Sequence, residues 1–258
     1  MKSIRVTTIL LVAVLGTFGM LQSSFKADLD PSAYEIIKEA QDRMTGKTSI
    51  AEMTITIQRP KWKREMSLKT WTKGDDKSIS LVTAPARDKG TVFLRVGEEV
   101  WNWVPTVERV IKLPPSMMSQ SWMGTDLTND DLVNQTDLKT DFTHTLLGKK
   151  TVADRLCYQV QSVPKESAAV VWGKIVTWID VTDFIQMKTE FYDEDDFLIN
   201  TFNAQNIKVM GGKKVASKFE IVPEEKPGNK TIMEYNSLKF DEPIADDFFT
   251  TRNMRTLR

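Results

Sequence analysis

One cysteine, one histidine and a single long apolar run are all that this 258-residue chain has of three resources, and each shortage excludes something. Cys157 has no partner for an intramolecular disulfide, so the fold must rest on its core. It sits in the strand-like run Arg155-Leu156-Cys157-Tyr158-Gln159-Val160, where it reads as a small buried hydrophobe. His144 is the only imidazole, and no G-x-S-x-G elbow accompanies it, so a Ser–His–Asp hydrolase is not indicated. One His and one Cys also fall short of the usual structural zinc sites. The acidic run Asp193-Glu194-Asp195-Asp196 lacks the glycine and terminal glutamate of a calcium loop, and no phosphate-cradling glycine motif occurs. The residue inventory points to a non-enzyme with neither metal nor cofactor.

The one long apolar run, Val6 to Met20, follows Lys2 and Arg5 and precedes Gln22-Ser23-Ser24. At 15 residues it is short of the roughly 20 that span a bilayer. Its order and proportions are those of a secretory signal peptide over residues 1–27, leaving 28–258 as one exported domain. Removing Lys2, Arg5 and Lys26 takes the cations from 35 to 32 against 35 acids, a net charge of −3. A chain of that balance is not built for nucleic acid.

Beyond the leader the pattern is one helix followed by strands. Asp30 and Pro31 suit a helix start, and Ala33, Ile36, Ile37, Ala40 and Met44 form its apolar stripe up to Gly46. Alternation then begins with Met53, Ile55 and Ile57, and repeats at Met66 and Leu68, Ile79 and Leu81, and Val92 and Leu94. Turn signals every 8–14 residues or so, including one from Gly148 to Asp154 and a two-residue connection at Gly211-Gly212, suit an antiparallel meander. Ten or eleven such strands must curl or close to bury a face. With few helices to cover it, the sheet is expected to be a curved antiparallel half-barrel with an N-terminal helix and short lid helices; a sandwich is the structural rival.

The densest signal lies between Val100 and Leu132, which holds three of the seven Trp and three of the twelve Met. Trp101 and Trp103 alternate within a strand; Pro114-Pro115 ends the strand that follows. A Ser/Gly/Asp-rich connector then carries Met117, Met118, Trp122 and Met123. Adaptable thioethers and an aromatic on a loop suit contact with variable apolar ligands. Asp126, Asp130 and Asp131 could pair for acid–base or metal chemistry, but Thr128 with Asp131 three residues on reads as a helix cap. The expected ligand-binding set is Met53, Ile55, Met66, Leu68, Trp101 and Trp103 on the cleft wall, with Met117, Met118, Trp122 and Met123 over it.

The run Trp101-Asn102-Trp103-Val104-Pro105, then Glu108-Arg109-Val110, Leu113-Pro114 and Ser121-Trp122-Met123-Gly124-Thr125-Asp126-Leu127 through Leu132, resembles the outer-membrane lipoprotein-sorting (LolA-like) family. Gly148 to Tyr158 and Asp247-Phe248-Phe249-Thr250-Thr251 add to the likeness, which extends over most of the chain after the leader. The resemblance implies a half-barrel in the periplasm that shelters the acyl chains of lipoproteins or other lipids, without catalysis. It implies as partners an inner-membrane exporter and an outer-membrane acceptor. The alternative reading is a regulatory sensor, or an accessory subunit of an envelope export system, that binds lipid or misfolded outer-membrane protein.

Overall fold

The computed structural model describes residues 30–129, 131, 138–168 and 170–257. The expected signal peptide lies outside them. Helix α1 spans Ala33–Thr45, two residues later than Asp30-Pro31 would start it, because Ser32 is the cap. The Ser32 hydroxyl accepts from the Glu35 amide while the Glu35 carboxylate accepts from the Ser32 amide, a reciprocal capping box. Ile36, Ile37 and Ala40 are its buried stripe.

The described strands are β1 (Thr48–Arg59), β2 (Trp62–Lys73), β3 (Lys77–Ala84), β4 (Val92–Val96), β5 (Glu99–Val104) and β6 (Arg109–Lys112) in the first half. A 3-10 turn at Pro115–Met117 and a short helix α2, Leu138–Asp141, separate them from the second half. That half holds β7 (Phe142–Val152), β8 (Arg155–Pro164), β9 (Lys174–Asp180), β10 (Gln186–Tyr192), β11 (Leu198–Met210), β12 (Lys213–Pro223) and β13 (Lys230–Phe240). A 3-10 turn (Asp246–Phe248) and helix α3 (Thr251–Met254) follow. All thirteen strands belong to one open, curved antiparallel sheet ordered β6-β5-β4-β3-β2-β1-β13-β12-β11-β10-β9-β8-β7. The last strand therefore returns to pair with the first and joins the two meanders.

Two of the sequence expectations shift. There are thirteen described strands rather than ten or eleven, and within the turn expected from Gly148 to Asp154 it is not Gly148 that turns the chain. It lies inside β7 at a register shift, and the turn that follows is made by Ala153 and Asp154, both left-handed. At Gly211-Gly212 the expected hairpin is present, with both residues at positive φ as the tight connection requires. A Cβ on Gly211 would stand 2.8 Å from the Phe240 ring, so glycine also lets this turn sit against the end of β13. β12 and β13 share only four paired residues, Lys218 to Ile221 with Glu234 to Thr231, so they part beyond that short seam. Met210, Val215, Leu238 and Phe240 pack there.

Both faces of the sheet are apolar, and each needs a cover. On the concave side α1 lies over the second half, its Ile36, Ile37 and Ala40 packed with Tyr158, Val160, Ile175 and Ile179. On the convex side of the first half, Trp71, Ile79, Leu81, Val92 and Leu94 are covered by the chain's end, with Phe249 5 % exposed and Met254 fully buried. Thr250 caps α3 by accepting from the Asn253 amide at 3.3 Å, which holds Met254 onto this layer. Among the described residues no helix is long and apolar enough to cross a membrane.

If the C-terminal segment is structural cover, Met254→Ala should cost about 2–4 kcal/mol in urea unfolding. A loss under about 1 kcal/mol would show that the convex face is stable without it.

Candidate functional site

A cavity of about 460 Å³ lies on the concave side of the first half, within the range of small-molecule sites. Its floor follows from register. Met53 of β1 stands opposite Leu68 of β2 and Tyr235 of β13, and Ile55 opposite Met66 and Met233. A register shift at Glu52/Met53 lets Leu238, three residues from Tyr235 rather than two, face the same side beside Ala51. Across the cleft Ile175, Phe191 and Phe202 supply the facing wall, and Gln41 and Met44 from the last turn of α1 reach its edge. A smaller cavity of about 200 Å³ shares Met44, Gln186, Thr189 and Phe202 and extends the hollow under α1.

The connector after Pro114 covers one side of this floor. Trp122 is 3 % exposed, packs edge-on against Phe93 with ring centroids 5.5 Å apart, and lines the cavity with Leu127, Asn129 and Asp131. The loop is tied down at one corner. Arg59, at the end of β1, donates to the Asp126 carboxylate at 3.0 Å and to the Gly124 carbonyl at 2.8 Å. The Thr231 hydroxyl donates to the same carboxylate at 2.7 Å and accepts from the Asp126 amide at 2.9 Å. With the Arg59 and Asp126 side chains only 13 % and 5 % exposed, the pair is shielded from water and removal of either partner would strand a charge. Met123 and Gly124 both take left-handed backbone, φ 49° and 81°; for the methionine this is strained and is held by these anchors.

Of the expected ligand-binding residues, Met53, Ile55, Leu68 and Trp122 line the cavity. Met66 shares their face but is buried in the core beneath it, and Met123 packs against the same cluster. Met117 and Met118 are half-buried and do not line the cavity. Trp101 and Trp103 are a correction. They share one face, as alternation requires, but it is the convex one: Trp101 is opposite Leu94 and Trp103 opposite Val92. They pack with the C-terminal cover, with Lys112 over Trp101 at 5.8 Å and Arg255 over Trp103 at 5.9 Å. The residues missed from sequence are the inward hydroxyls of β1–β3 and the inward Arg95, described below.

The acidic group does not converge as a catalytic pair would. Asp126 is held by Arg59 and Thr231, while the Asp131 carboxylate accepts from the Thr128 amide at 2.7 Å and hydroxyl at 2.8 Å. The Asp131 amide donates back to the Thr128 hydroxyl, so the Thr128 cap is present. Asp130 and the continuation through 132–137 lie outside the described residues. His144 is engaged at both ring nitrogens. Nε2–H donates to the Leu138 carbonyl at 2.8 Å, which leaves Nδ1 to accept from the Ser162 hydroxyl at 2.8 Å. Burial lowers its pKa, in keeping with a neutral ring strapping α2 to the sheet. Burial pushes the Cys157 thiol up to about 11, far from a reactive thiolate. Among the described residues no group of three or more His, Cys, Asp or Glu side chains is placed to hold a metal ion.

A model of a family described as "Uncharacterized protein" matches residues 74–256. No curated protein matches the chain. Among solved structures, a DUF1329 family protein from Desulfovibrio piger is 22 % identical with a TM-score of 0.79, over 88 % of this chain and 100 % of that one. An outer membrane lipoprotein-sorting protein domain from Vibrio parahaemolyticus is 21 % identical with a TM-score of 0.75, over 86 % and 98 %. A LolA superfamily protein from Nitrosomonas europaea is 22 % identical with a TM-score of 0.71, over 86 % and 99 %.

Burial raises the Asp131 pKa above its usual 3.8, against the pull of its Thr128 hydrogen bonds. A carboxyl raised on folding contributes its stability in full below the unfolded value and loses it as pH climbs through the folded one. The stability of the wild type minus that of Asp131→Asn should therefore be greatest near about pH 3 and fall toward about pH 7 in urea titrations. A difference that grows with pH would mean the carboxylate is stabilised in its charged form.

Proposed function

The chain belongs to the family of uncharacterized proteins whose model matches residues 74–256, with a LolA-like fold, and from that premise we propose a non-catalytic carrier of acyl chains. The observation that carries the reading is the apolar concave wall of Met53, Ile55, Leu68, Phe202 and Met233 under a tethered Trp122 loop. An apolar hollow of this kind leaves hydrocarbon-sized space that water fills poorly. Sheltering a chain of about 16 methylenes at about 0.8 kcal/mol each offers on the order of 10 kcal/mol before ordering costs. Tight binding then needs no covalent step, and release needs a partner or a movement of the cover.

In this reading the exported chain works in the periplasm and passes lipoproteins or related lipids from an inner-membrane donor toward an outer-membrane acceptor. Two features of the fold suit that task. The open sheet leaves the cavity with an open side, and the Arg59–Asp126 anchor holds one corner of the covering loop in place.

Met233→Glu tests the reading without overturning the core, because Met233 is only half-buried and the new carboxylate can stay hydrated. It should weaken binding of a fluorescent fatty acid more than roughly tenfold, about 1.4 kcal/mol, while the melting temperature changes little. Undiminished binding would place the ligand elsewhere.

A further inference from the structure

The wall of the cavity is not uniform. Following the register inward from the β1 start, Ser49 stands opposite Thr72, Thr72 opposite Ser78, and Ser78 opposite Arg95. The next inward row is Ala51, Thr70, Ser80 and Phe93. Only beyond it does the floor become hydrocarbon, at Met53, Leu68 and Val82. Ser49, Thr70, Thr72, Ser78, Ser80 and Arg95 all line the cavity. A floor meant only for hydrocarbon would not place five hydroxyls and a guanidinium there, since polar groups in an apolar site are costly unless they find partners.

The hydroxyls bond mainly to one another: Ser49 with Thr72 at 2.6 Å, and Thr70 with Ser80 at 3.0 Å. Each such pair has one hydrogen left to donate outward. Arg95 is less well matched. Its Nε–H donates to the Gly97 carbonyl at 3.1 Å, and among the described residues it forms no ion pair. Burial lowers its pKa, while Asp76 and Asp75 in the β2–β3 turn hold the charge from a distance. A second donor lacks an acceptor: the Nε1 of Trp122 is buried with no hydrogen-bond partner among the described residues. Trp122 packs against Phe93, two residues from Arg95 along β4, and shares a buried cluster with Met53, Leu68 and Val82, so its donor lies where the hydroxyl rows meet the hydrocarbon floor. The cavity's own carboxylate, Asp131, is engaged by Thr128 instead.

We propose that this end of the cavity is a head-group site for an amphiphile bearing an anionic oxygen group, phosphate or carboxylate, with Arg95 as its counter-charge. The inference rests on the carrier reading and adds the class of cargo. A guanidinium offers the paired, planar donors that such an oxyanion accepts, and the hydroxyl rows extend that donor surface. From Ser49 to Ile55 along β1, both of which line the cavity, is six residues, about 20 Å at roughly 3.3 Å each, which sets a head at one end and a hydrocarbon chain along the rest.

The test compares 16-carbon lysophosphatidic acid with the monoacylglycerol of the same chain, by displacement of a fluorescent fatty acid from the full chain. The wild type should bind the phosphate-bearing lipid at least roughly tenfold more tightly. Arg95→Met should bring the two within about threefold, and Arg95→Lys should retain part of the preference. Equal binding of both lipids by the wild type would overturn the head-group site and leave the carrier reading standing. Binding of neither would overturn both. Displacement by millimolar inorganic phosphate without any chain-length dependence would overturn the amphiphile and assign a plain oxyanion site. The wild-type comparison holds even if Arg95→Met fails to fold.

Discussion

Hairpin register in β1–β4 is the constraint on which the rest of the molecule depends. Side chains alternate across a strand, so once Met53 is fixed opposite Leu68, every other residue of both strands is assigned to a face. The same lock carries through β3 and β4 to Arg95 and Phe93. A slip of one residue anywhere along these strands would turn the cavity wall toward the C-terminal cover and the Trp71, Ile79 and Leu94 layer into the cleft. An open sheet with two apolar faces tolerates such an exchange poorly, because each face has a different cover. The C-terminal aromatics fit one, and α1 with the Trp122 loop fits the other.

The two covers differ in how completely they close. Phe249 and Met254 cover Ile79, Leu81, Val92 and Leu94, which are almost fully buried, while Trp71 is half-buried beside a shallow cleft of about 680 Å³ lined by Ile50, Ile244 and Phe248. On the concave side α1 lies over the second half, and over the first half the loop from Pro114 onward is pinned near Arg59 and Thr231 and leaves a hollow. Function is read from the concave hollow, which the sheet, α1 and the loop enclose, whereas the convex cleft lies open to solvent. A stable core needs no space inside it, whereas a site that admits hydrocarbon must leave some.

Much of this was legible in the chain. The helix stripe, the alternating strands, the Gly211-Gly212 hairpin and the curved antiparallel class all follow from period and turn chemistry. The Thr128–Asp131 cap and Trp122 facing the cleft follow from spacing and from the placement of a large aromatic on a loop. What alternation could not supply was the face. It says that Trp101 and Trp103 lie together, but placing them relative to Leu68 means counting the register through β3 and β4. Strands β2–β4 also invert the usual assumption near Thr72: their large apolar residues point outward to the C-terminal cover, and Ser78, Ser80 and Arg95 point in. The Thr70-Trp71-Thr72 and Ser78-Ile79-Ser80 patterns carried that signal, yet nothing local tells which set meets the cavity. The turn expected between Gly148 and Asp154 falls at the far end of that range, at Ala153-Asp154, because a glycine at a bulge and one at a turn look alike in sequence.

The central claim is that the concave hollow is occupied by an amphiphile in the cell. Native mass spectrometry of the full chain, purified from its source without detergent, tests it most directly. The account predicts a 1:1 adduct with the mass of an acyl-bearing lipid or lipoprotein, lost when Met233 is replaced by glutamate. Recovery of the bare polypeptide alone, from wild type and variant alike, would contradict it.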